Sequence, residues 1–269
     1  MYFSYATKEI TEQNVIMVQI FKPKVSFSDS LLYFVLSNNH QIFYMKRNLI
    51  LLSAFAFLTF SCKKNHDSDK TEKTVNYQLG PTEGQSTYVN WNDMDPAWAS
   101  AVNYNNPNVT QELPLATSNG GGATIKSRAY LSFNLSEIPS DAEIVSAKLS
   151  LFGMSSYFTI PQGNLGDNTF YIQRVTENWN QSTLTWNSQP ATVTEDQVTV
   201  PGTTVQYNYN VTDIDITPLI KAIKAQTPDK TAGVCLKLKT ETPTNTIVFA
   251  SARNDDPTKR PRLAIVYKN

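Results

Sequence analysis

Three aromatic residues lie close together in a part of the sequence that is rich in Asn. Trp91, Trp98 and Tyr104 fall inside or beside residues 92–112, which read as one long loop. A sugar ring is bound by such a flat apolar surface when amide and hydroxyl groups around it offer fixed hydrogen bonds. The alternative is a loop that tucks its own rings underneath. Loops of this length are usually functional or mobile, and the sequence leaves both interpretations open.

Two further tryptophans occur in a short polar segment. Trp179 stands in Asn-Trp-Asn and Trp186 in Thr-Trp-Asn. Either indole could stack on a sugar, but Asn is a turn-forming residue because its side chain bonds to nearby backbone groups. The pattern therefore favours a structural role for both rings, at one end of the domain.

Basic residues from position 128 onward could meet acidic sugars. An Arg side chain can bind the carboxylate of a uronic acid through two hydrogen bonds, and the candidates are Arg128, Arg174 and Arg253. The other cations considered are Lys237, Lys239, Lys259, Arg260 and Arg262. From Val75 onward there are 14 Lys and Arg against 17 Asp and Glu, a net charge of −3. Solvated strand faces are thus the default interpretation of these cations.

Two carboxylate pairs have the spacing of residues that share one face of a strand. Asp93 and Asp95 form the first pair, and Asp213 and Asp215 form the second. Oxygen ligands of this kind suit Ca²⁺, so Asp93 and Asp95 are candidate calcium ligands. They could equally be turn residues. No cofactor is required by any chemistry considered for this chain.

Several classes of function are excluded or disfavoured by composition. From Val75 onward there is one Cys and no His, which excludes Ser-His-Asp and Cys-His nucleophiles, His- or Cys-rich zinc sites and an internal disulfide in that part. Glycoside hydrolysis needs only two carboxylates, but no pair stands out, so we do not expect an enzyme. The 23 basic and 23 acidic residues of the whole chain give no support for a nucleic-acid partner.

The N-terminal quarter has the features of a targeting segment. Lys46 and Arg47 precede an apolar run over residues 49–60, which is short for a bilayer span but suits a signal peptide. The run ends at Cys62 in a sequence that resembles a bacterial lipoprotein signal, in which this Cys is lipidated. The alternative is a buried helix that ends at a Cys by chance.

This interpretation divides the first 74 residues into three parts. Residues 1–44 are expected to be a mis-assigned upstream extension, with Met45 as the initiator, and residues 45–61 the signal peptide. Residues 62–74 are polar and charged, and we expect them to form a flexible tether after the lipidated Cys62. No Asp follows the Cys, which favours the outer membrane, on its extracytoplasmic or surface side.

Residues 75–269 are predicted to form one β domain. Residues 128–135 and 144–154 alternate between apolar and polar side chains, as half-buried strands do. Other short strands are separated by Pro, Gly, Asn and Asp, and Thr217-Pro218 begins a single helix. The predicted fold is an all-β, jelly-roll-type sandwich with one short helix, folded as a monomeric domain.

Five segments together resemble a known family. They are Arg128–Pro139, Ala142–Leu151, Thr176–Pro190, Val211–Asp213 and Arg260–Tyr267. In this order they are similar to a DNRLRE domain, a group that resembles the disaggregatase-type and family-96 carbohydrate-binding modules. The resemblance implies a β jelly roll on extracellular proteins, often beside polysaccharide-degrading domains, with alginate binding in some members.

The sequence therefore predicts a non-catalytic, lipid-anchored module that binds a polysaccharide, acidic and alginate-like if the basic residues gather on one face. A structural or adhesive surface module that binds another protein is the first alternative. A polysaccharide-degrading enzyme is the second.

Overall fold

The computed structural model describes residues 70–106, 110–226 and 233–269, together with the backbone of two short strands nearer the N-terminus. The chain divides into two compact units, Met1–Ser68 and Asp69–Asn269. In the first unit β1 (Val15–Val18) pairs antiparallel with β2 (Tyr33–Leu36). The predicted signal peptide, Cys62 and the tether as far as residue 69 lie outside the described residues.

The second unit is built from two antiparallel sheets. The smaller sheet has the order β10-β7-β13-β3. The larger sheet has the order β12-β5-β6-β11-β8-β9. The remaining strand of the larger sheet, β4, pairs with β6 along residues 125–133. The strands are β3 (Glu72–Gln78), β4 (Gly84–Asn92), β5 (Glu112–Gly120), β6 (Ala123–Phe133), β7 (Glu143–Leu151), β8 (Phe170–Val175), β9 (Thr192–Val200), β10 (Val211–Asp215), β11 (Val234–Leu238), β12 (Asn245–Ala250) and β13 (Arg262–Lys268).

Helical structure is sparse in the described part of the second unit. It consists of the α-helix α1 (Thr217–Ala225) and short 3-10 helices at Pro96–Ser100, Asn103–Asn105 and Pro257–Lys259. The prediction of an all-β sandwich with one helix is confirmed. Within the described residues no helix is both long and apolar enough to cross a bilayer.

Three boundaries differ from the sequence prediction. β3 begins at Glu72 and not after residue 74, because β13 supplies backbone hydrogen bonds to a polar, exposed edge strand. Residues 205–211 alternate between apolar and polar side chains and so predict a strand, but that prediction is wrong, since the chain turns there with Asn208 at a φ of 55°. The sequence does not predict β5, because Pro114, its third residue, is atypical of a strand interior.

The main core lies between the sheets and follows the predicted alternation. Ala129, Leu131 and Phe133 of β6 point inward, as do Leu149 and Leu151 of β7. Val145 was expected to point inward as well, yet it is 39% exposed. A register shift in the pairing with β13 explains this exposure. Tyr267 pairs with Ile144 and the preceding Val266 pairs with Ser146, so Val145 has no partner on β13.

A second, smaller core lies on the outer face of the larger sheet. Val89, Tyr130, Val175, Leu184 and Cys235 are buried there. The segment 176–190 folds over this face and brings Trp179 and Trp186 against the cluster. Burial raises the pKa of the Cys235 thiol to about 11, so the thiol is protonated and inert at neutral pH. The outer face of the larger sheet is thus partly covered and partly open.

Candidate functional site

Register between β4 and β6 brings candidate residues from both strands onto the outer face of the larger sheet. Trp91 is directly opposite Lys126, and Val89 is opposite Arg128. Residues two apart in a strand share a face, so Trp91, Lys126 and Arg128 project from the same side of the sheet.

Trp186 completes an aromatic surface with these side chains. Its ring centroid lies 6.4 Å from that of Trp91, with the planes inclined at 32°. The Arg128 guanidinium lies 4.7 Å from the Trp186 centroid, and the Lys126 ammonium lies 5.3 Å from the Trp91 centroid. Cations at these distances are attracted to the rings. We call Trp91, Trp186, Lys126 and Arg128 the tryptophan platform.

Arg128 is held in place by two partners. Its Nε and Nη2 donate to the two carboxylate oxygens of Glu241 at 2.7 and 2.8 Å, a bidentate pair. Its Nη1 donates to Gln189 Oε1 at 3.3 Å, and the buried Tyr130 hydroxyl donates to the same oxygen at 2.9 Å. Gln189 Nε2 in turn donates to the Trp186 carbonyl at 2.8 Å. The backbone that carries Trp186 and the cation that stacks on its ring are therefore fixed together.

The ionisation of Glu241 is set by this surface. Burial acts to raise the pKa of Glu241, but the hydrogen bonds from Arg128 and the positive charges of Arg128, Lys126 and Lys237 outweigh it and hold the pKa below its usual value. The hydrogen bond that Arg128 donates to Glu241 is also the largest cause of the raised pKa of Arg128. Both groups are thus charged at neutral pH.

An open groove of about 350 Å³ adjoins the platform. It is lined by Tyr171, Gln173, Thr194, Gln197, Lys237, Leu238, Lys239 and Glu241. Gln173 Nε2 donates to Gln197 Oε1 at 2.7 Å, and Thr192 Oγ1 donates to Gln173 Oε1 at 3.0 Å, so the amides are held in fixed orientations. Glu241 belongs to both features, because it lines the groove and also binds Arg128 of the platform.

Cations outnumber carboxylates on this surface. Lys126 and Arg128 of the platform and Lys237 and Lys239 of the groove are four cations, and Glu241 is the one carboxylate among the platform and groove residues named above. The sequence from Val75 onward has a net charge of −3. The fold thus concentrates positive charge on one face of a domain that is acidic as a whole.

The remaining predicted aromatic and basic residues are divided between other places. Trp98 is 37% exposed on the 3-10 helix at Pro96–Ser100. That helix is joined to the Trp186 segment, because Asn187 donates its backbone N–H to the Ala99 carbonyl at 3.0 Å and its side chain to Ser100 Oγ at 3.1 Å. Trp98 therefore lies on the segment that borders the platform.

Tyr104 and Arg253 contact each other. The Arg253 guanidinium lies 3.8 Å from the Tyr104 ring centroid, and its Nη1 donates to the Tyr104 carbonyl at 3.2 Å. Arg174 is opposite Val234, whose side chain belongs to the main core, so register places Arg174 on the inner side of β8. The structure thus brings together Trp91 and Arg128 of the six predicted sugar-binding residues.

The two predicted calcium ligands each have a local role. Asp93 Oδ1 accepts from the Thr124 backbone N–H at 2.8 Å, and Asp95 Oδ1 accepts from the Ala97 N–H at 3.1 Å at the start of a 3-10 helix. Among residues 70–106, 110–226 and 233–269, no group of three or more His, Cys, Asp or Glu side chains could hold a metal. Calcium binding by this pair stays a prediction.

Sequence reasoning missed several members of the site. Trp186 was assigned a structural role, and Gln189, Glu241 and Tyr171 were not singled out. The tryptophan does pack on the sheet, but it also supplies half of the aromatic surface. Its place within Thr176–Pro190, the most specific segment of the family resemblance, was the signal available.

No curated protein matches the chain. The model of carbohydrate-binding module family 96 matches residues 87–267, which span the platform, the groove and most of both sheets. The match covers more than half of the sequence and confirms the family-96 resemblance, while the lipoprotein signal and the DNRLRE assignment stay predictions. The chain belongs to carbohydrate-binding module family 96.

Proposed function

We propose that this protein is a non-catalytic module that holds a polysaccharide on the outer face of its larger sheet. The observation that carries the proposal is the tryptophan platform, in which Trp91 and Trp186 lie side by side and are flanked by Lys126 and Arg128. An indole surface matches the apolar face of a sugar ring, and neighbouring cations and amides can bond to its hydroxyl and carboxylate groups.

The charge of this face supports an acidic, alginate-like polymer as the ligand. The guanidinium of Arg128 is already paired with Glu241, so Lys126, Lys237 and Lys239 supply the uncompensated charge. Exposed charges of this kind attract a polyanion in a salt-dependent manner.

Location is a second part of the proposal and depends on the sequence alone. We propose that Cys62 is lipidated and that the module is tethered to the outer membrane, on its extracytoplasmic side. Metabolic labelling with a palmitate analogue tests this. Label is expected in the wild-type protein and not in Cys62→Ser, and equal labelling of both would contradict the anchor.

A screen of immobilised polysaccharides tests the binding proposal, with alginate and neutral plant and algal glycans included. Trp186→Ala is expected to weaken binding at least about tenfold, since it removes half of the aromatic surface. Tyr104→Ala is the matched control, because the ring of Tyr104 stacks with Arg253 in place of a platform residue. Binding that is lost in Tyr104→Ala and kept in Trp186→Ala would move the site to the Tyr104–Arg253 pair. Failure of the folded protein to bind any glycan would refute the proposal.

A protein-binding surface module is the second candidate function, because two neighbouring loops carry exposed apolar side chains. Phe158 is 66% exposed, Val205 49% and Leu165 37%. Their loops are joined, since Asn164 Nδ2 donates to the Val205 carbonyl at 3.0 Å. Apolar patches on soluble domains often mark contact sites. This candidate gains support if no glycan binds and Phe158→Ser reduces adhesion of cells that display the protein.

A further inference from the structure

The outer face of the larger sheet continues beyond the tryptophan platform into the open groove. Val89 is opposite Arg128, and Tyr171 is opposite both Lys237 and Thr199. Tyr130 of β6 is opposite Cys235 of β11. Because the two strands are antiparallel, Arg128, two residues before Tyr130, lies beside Lys237, two residues after Cys235. From Trp91 on β4, the row of outward side chains therefore continues through Arg128 on β6, Lys237 on β11 and Tyr171 on β8 to Thr199 on β9. Val89, the β4 residue directly opposite Arg128, is buried in the second core.

The length of this row exceeds the size of a single sugar. Neighbouring strands lie about 4.8 Å apart, so five strands span roughly 19 Å. That distance accommodates several sugar rings of an extended chain. Glu241 joins the two parts, because it lines the groove and binds the platform Arg128.

The groove has the chemistry of a sugar subsite in its own right. Tyr171 supplies an aromatic ring, the amides of Gln173 and Gln197 are fixed by hydrogen bonds, and Lys237 and Lys239 supply donors. Its volume of about 350 Å³ is in the range of ligand sites.

Solvent reaches both ends of this surface, at Thr199 on β9 and at Trp91 and Trp98 on the β4 side. β9 is the last strand of the larger sheet, and its Thr194 and Thr199 are exposed. At the other end, β4 pairs only with β6 in that sheet, and the adjoining 3-10 helix carries the exposed Trp98. A chain lying along the row can therefore extend past both edges.

From these observations we infer that the protein binds an internal segment of a polysaccharide, which runs across the strands from the tryptophan platform into the groove lined by Tyr171, Gln173 and Lys237. This inference rests on the proposed function. It adds the groove as a second binding region and makes the interior of the polymer, and not a chain end, the recognised form.

Calorimetry with oligosaccharides of increasing length tests the inference on the full chain. The probes are alginate oligosaccharides from the disaccharide to the octasaccharide, or fragments of whichever polymer binds most strongly in the screen. Affinity is expected to rise about tenfold or more from the disaccharide to the hexasaccharide and then to level off. Borohydride reduction of the terminal sugar is expected to leave the affinity of the long fragments unchanged.

A steric variant separates the groove from the platform. Thr194→Trp fills the groove from an exposed position on β9, so it disturbs neither core. We expect it to lower the affinity for long fragments to that for the disaccharide and to leave disaccharide binding unchanged. Thr74→Trp, at an exposed position on β3 of the smaller sheet, is the matched control and is expected to bind as wild type.

Each result decides between the two proposals. Length-independent affinity, wild-type binding of long fragments by Thr194→Trp, or loss of binding after reduction of the terminal sugar would overturn the inference. The proposed function would survive these results as long as Trp186→Ala weakens binding. Absence of binding to every polymer would refute the proposed function and the inference together.

Discussion

The two sheets of this sandwich present outer faces of different character. The outer face of the larger sheet carries Trp91, Arg128, Tyr130 and Tyr171, and the segment 176–190 covers part of it. On the smaller sheet, register places Lys148 on the corresponding face, and the other outward residues there include Asn76, Ser146, Ser150, Ala264 and Val266. Apart from Lys148 these are small or short side chains, and at one end Arg262 lies over Phe152 at 5.0 Å.

The difference shows how one alternating pattern can serve two purposes. In both sheets the inward residues build the main core, and the outward residues are free to vary. Large outward residues on the larger sheet need partners of their own, and segment 176–190 provides them with a second core. That cover fixes Trp186 beside Trp91 and leaves the neighbouring groove open. The outward residues of the smaller sheet are mostly short or charged, and this face meets the solvent directly.

The largest expected effect concerns the second core. Leu184→Ala removes a buried side chain of this cluster and is expected to lower the free energy of unfolding by about 3 kcal/mol. Val266→Ala, on the outer face of the smaller sheet, is expected to cost less than about 1 kcal/mol, because Val266 is only half-buried. Urea unfolding measures both. Equal losses would mean that the cover on the larger sheet is not a packed layer.

The ion pairs of the two faces sharpen the comparison. Arg128 and Glu241 have side chains 25% and 21% exposed, whereas Lys148 and Asp215 on the smaller sheet are 36% and 59% exposed. Double-mutant cycles with Ala are expected to give coupling free energies of roughly 2 kcal/mol for the first pair and about 0.5 kcal/mol for the second. A coupling no larger for Arg128–Glu241 than for Lys148–Asp215 would show that burial does not strengthen it.

Lowering the pH is expected to remove the contribution of the Arg128–Glu241 pair to the free energy of unfolding. The folded protein holds the pKa of Glu241 below its unfolded value, so the pair stabilises the fold above the unfolded pKa. That contribution is lost as the pH falls through the lower, folded pKa. The difference in unfolding free energy between wild type and Glu241→Gln should therefore be largest near neutrality and vanish in strong acid. A difference independent of pH would contradict the charged pair.

The smallest expected effect is electrostatic and concerns ligand binding. Lys237→Gln should weaken binding of an acidic polysaccharide about threefold and reduce the dependence of binding on salt, because one uncompensated cation of the groove is removed. Lys148→Gln, the matched change on the smaller sheet, should alter neither quantity. Titrations at low and high ionic strength measure this. An equal effect of both variants would indicate a long-range charge effect in place of a groove contact.

Particular residues show how far the sequence could be followed. The alternation in β6 and β7 predicted the core, and Thr217-Pro218 predicted the helix. β5 was missed because Pro114 weakens a strand pattern, and the polar β3 begins earlier than expected because its partner β13 lies at the far end of the chain. Long-range pairing supplied information that local preference lacks.

The candidate site, like the fold, could be predicted only in part from the sequence. The sequence pointed to Trp91 and Arg128, because an aromatic residue near Asn and an Arg in a strand have recognisable chemistry. It also grouped them with Tyr104, Arg174 and Arg253, which the fold places elsewhere. Proximity in sequence misled here, since Tyr104 is 13 positions from Trp91, yet it packs against a residue 149 positions away.

The sequence by itself determined the all-β class, the two-residue periodicity of the core strands, the family, and the lack of His in the β domain. These follow from local patterns and residue types. Only the tertiary structure decided that Trp91, Arg128, Trp186 and Glu241, which come from four separate segments, form one surface. The reason is physical: Arg128 and Glu241 are 113 residues apart in the chain, and strand register together with the fold of segment 176–190 brings them within hydrogen-bond distance.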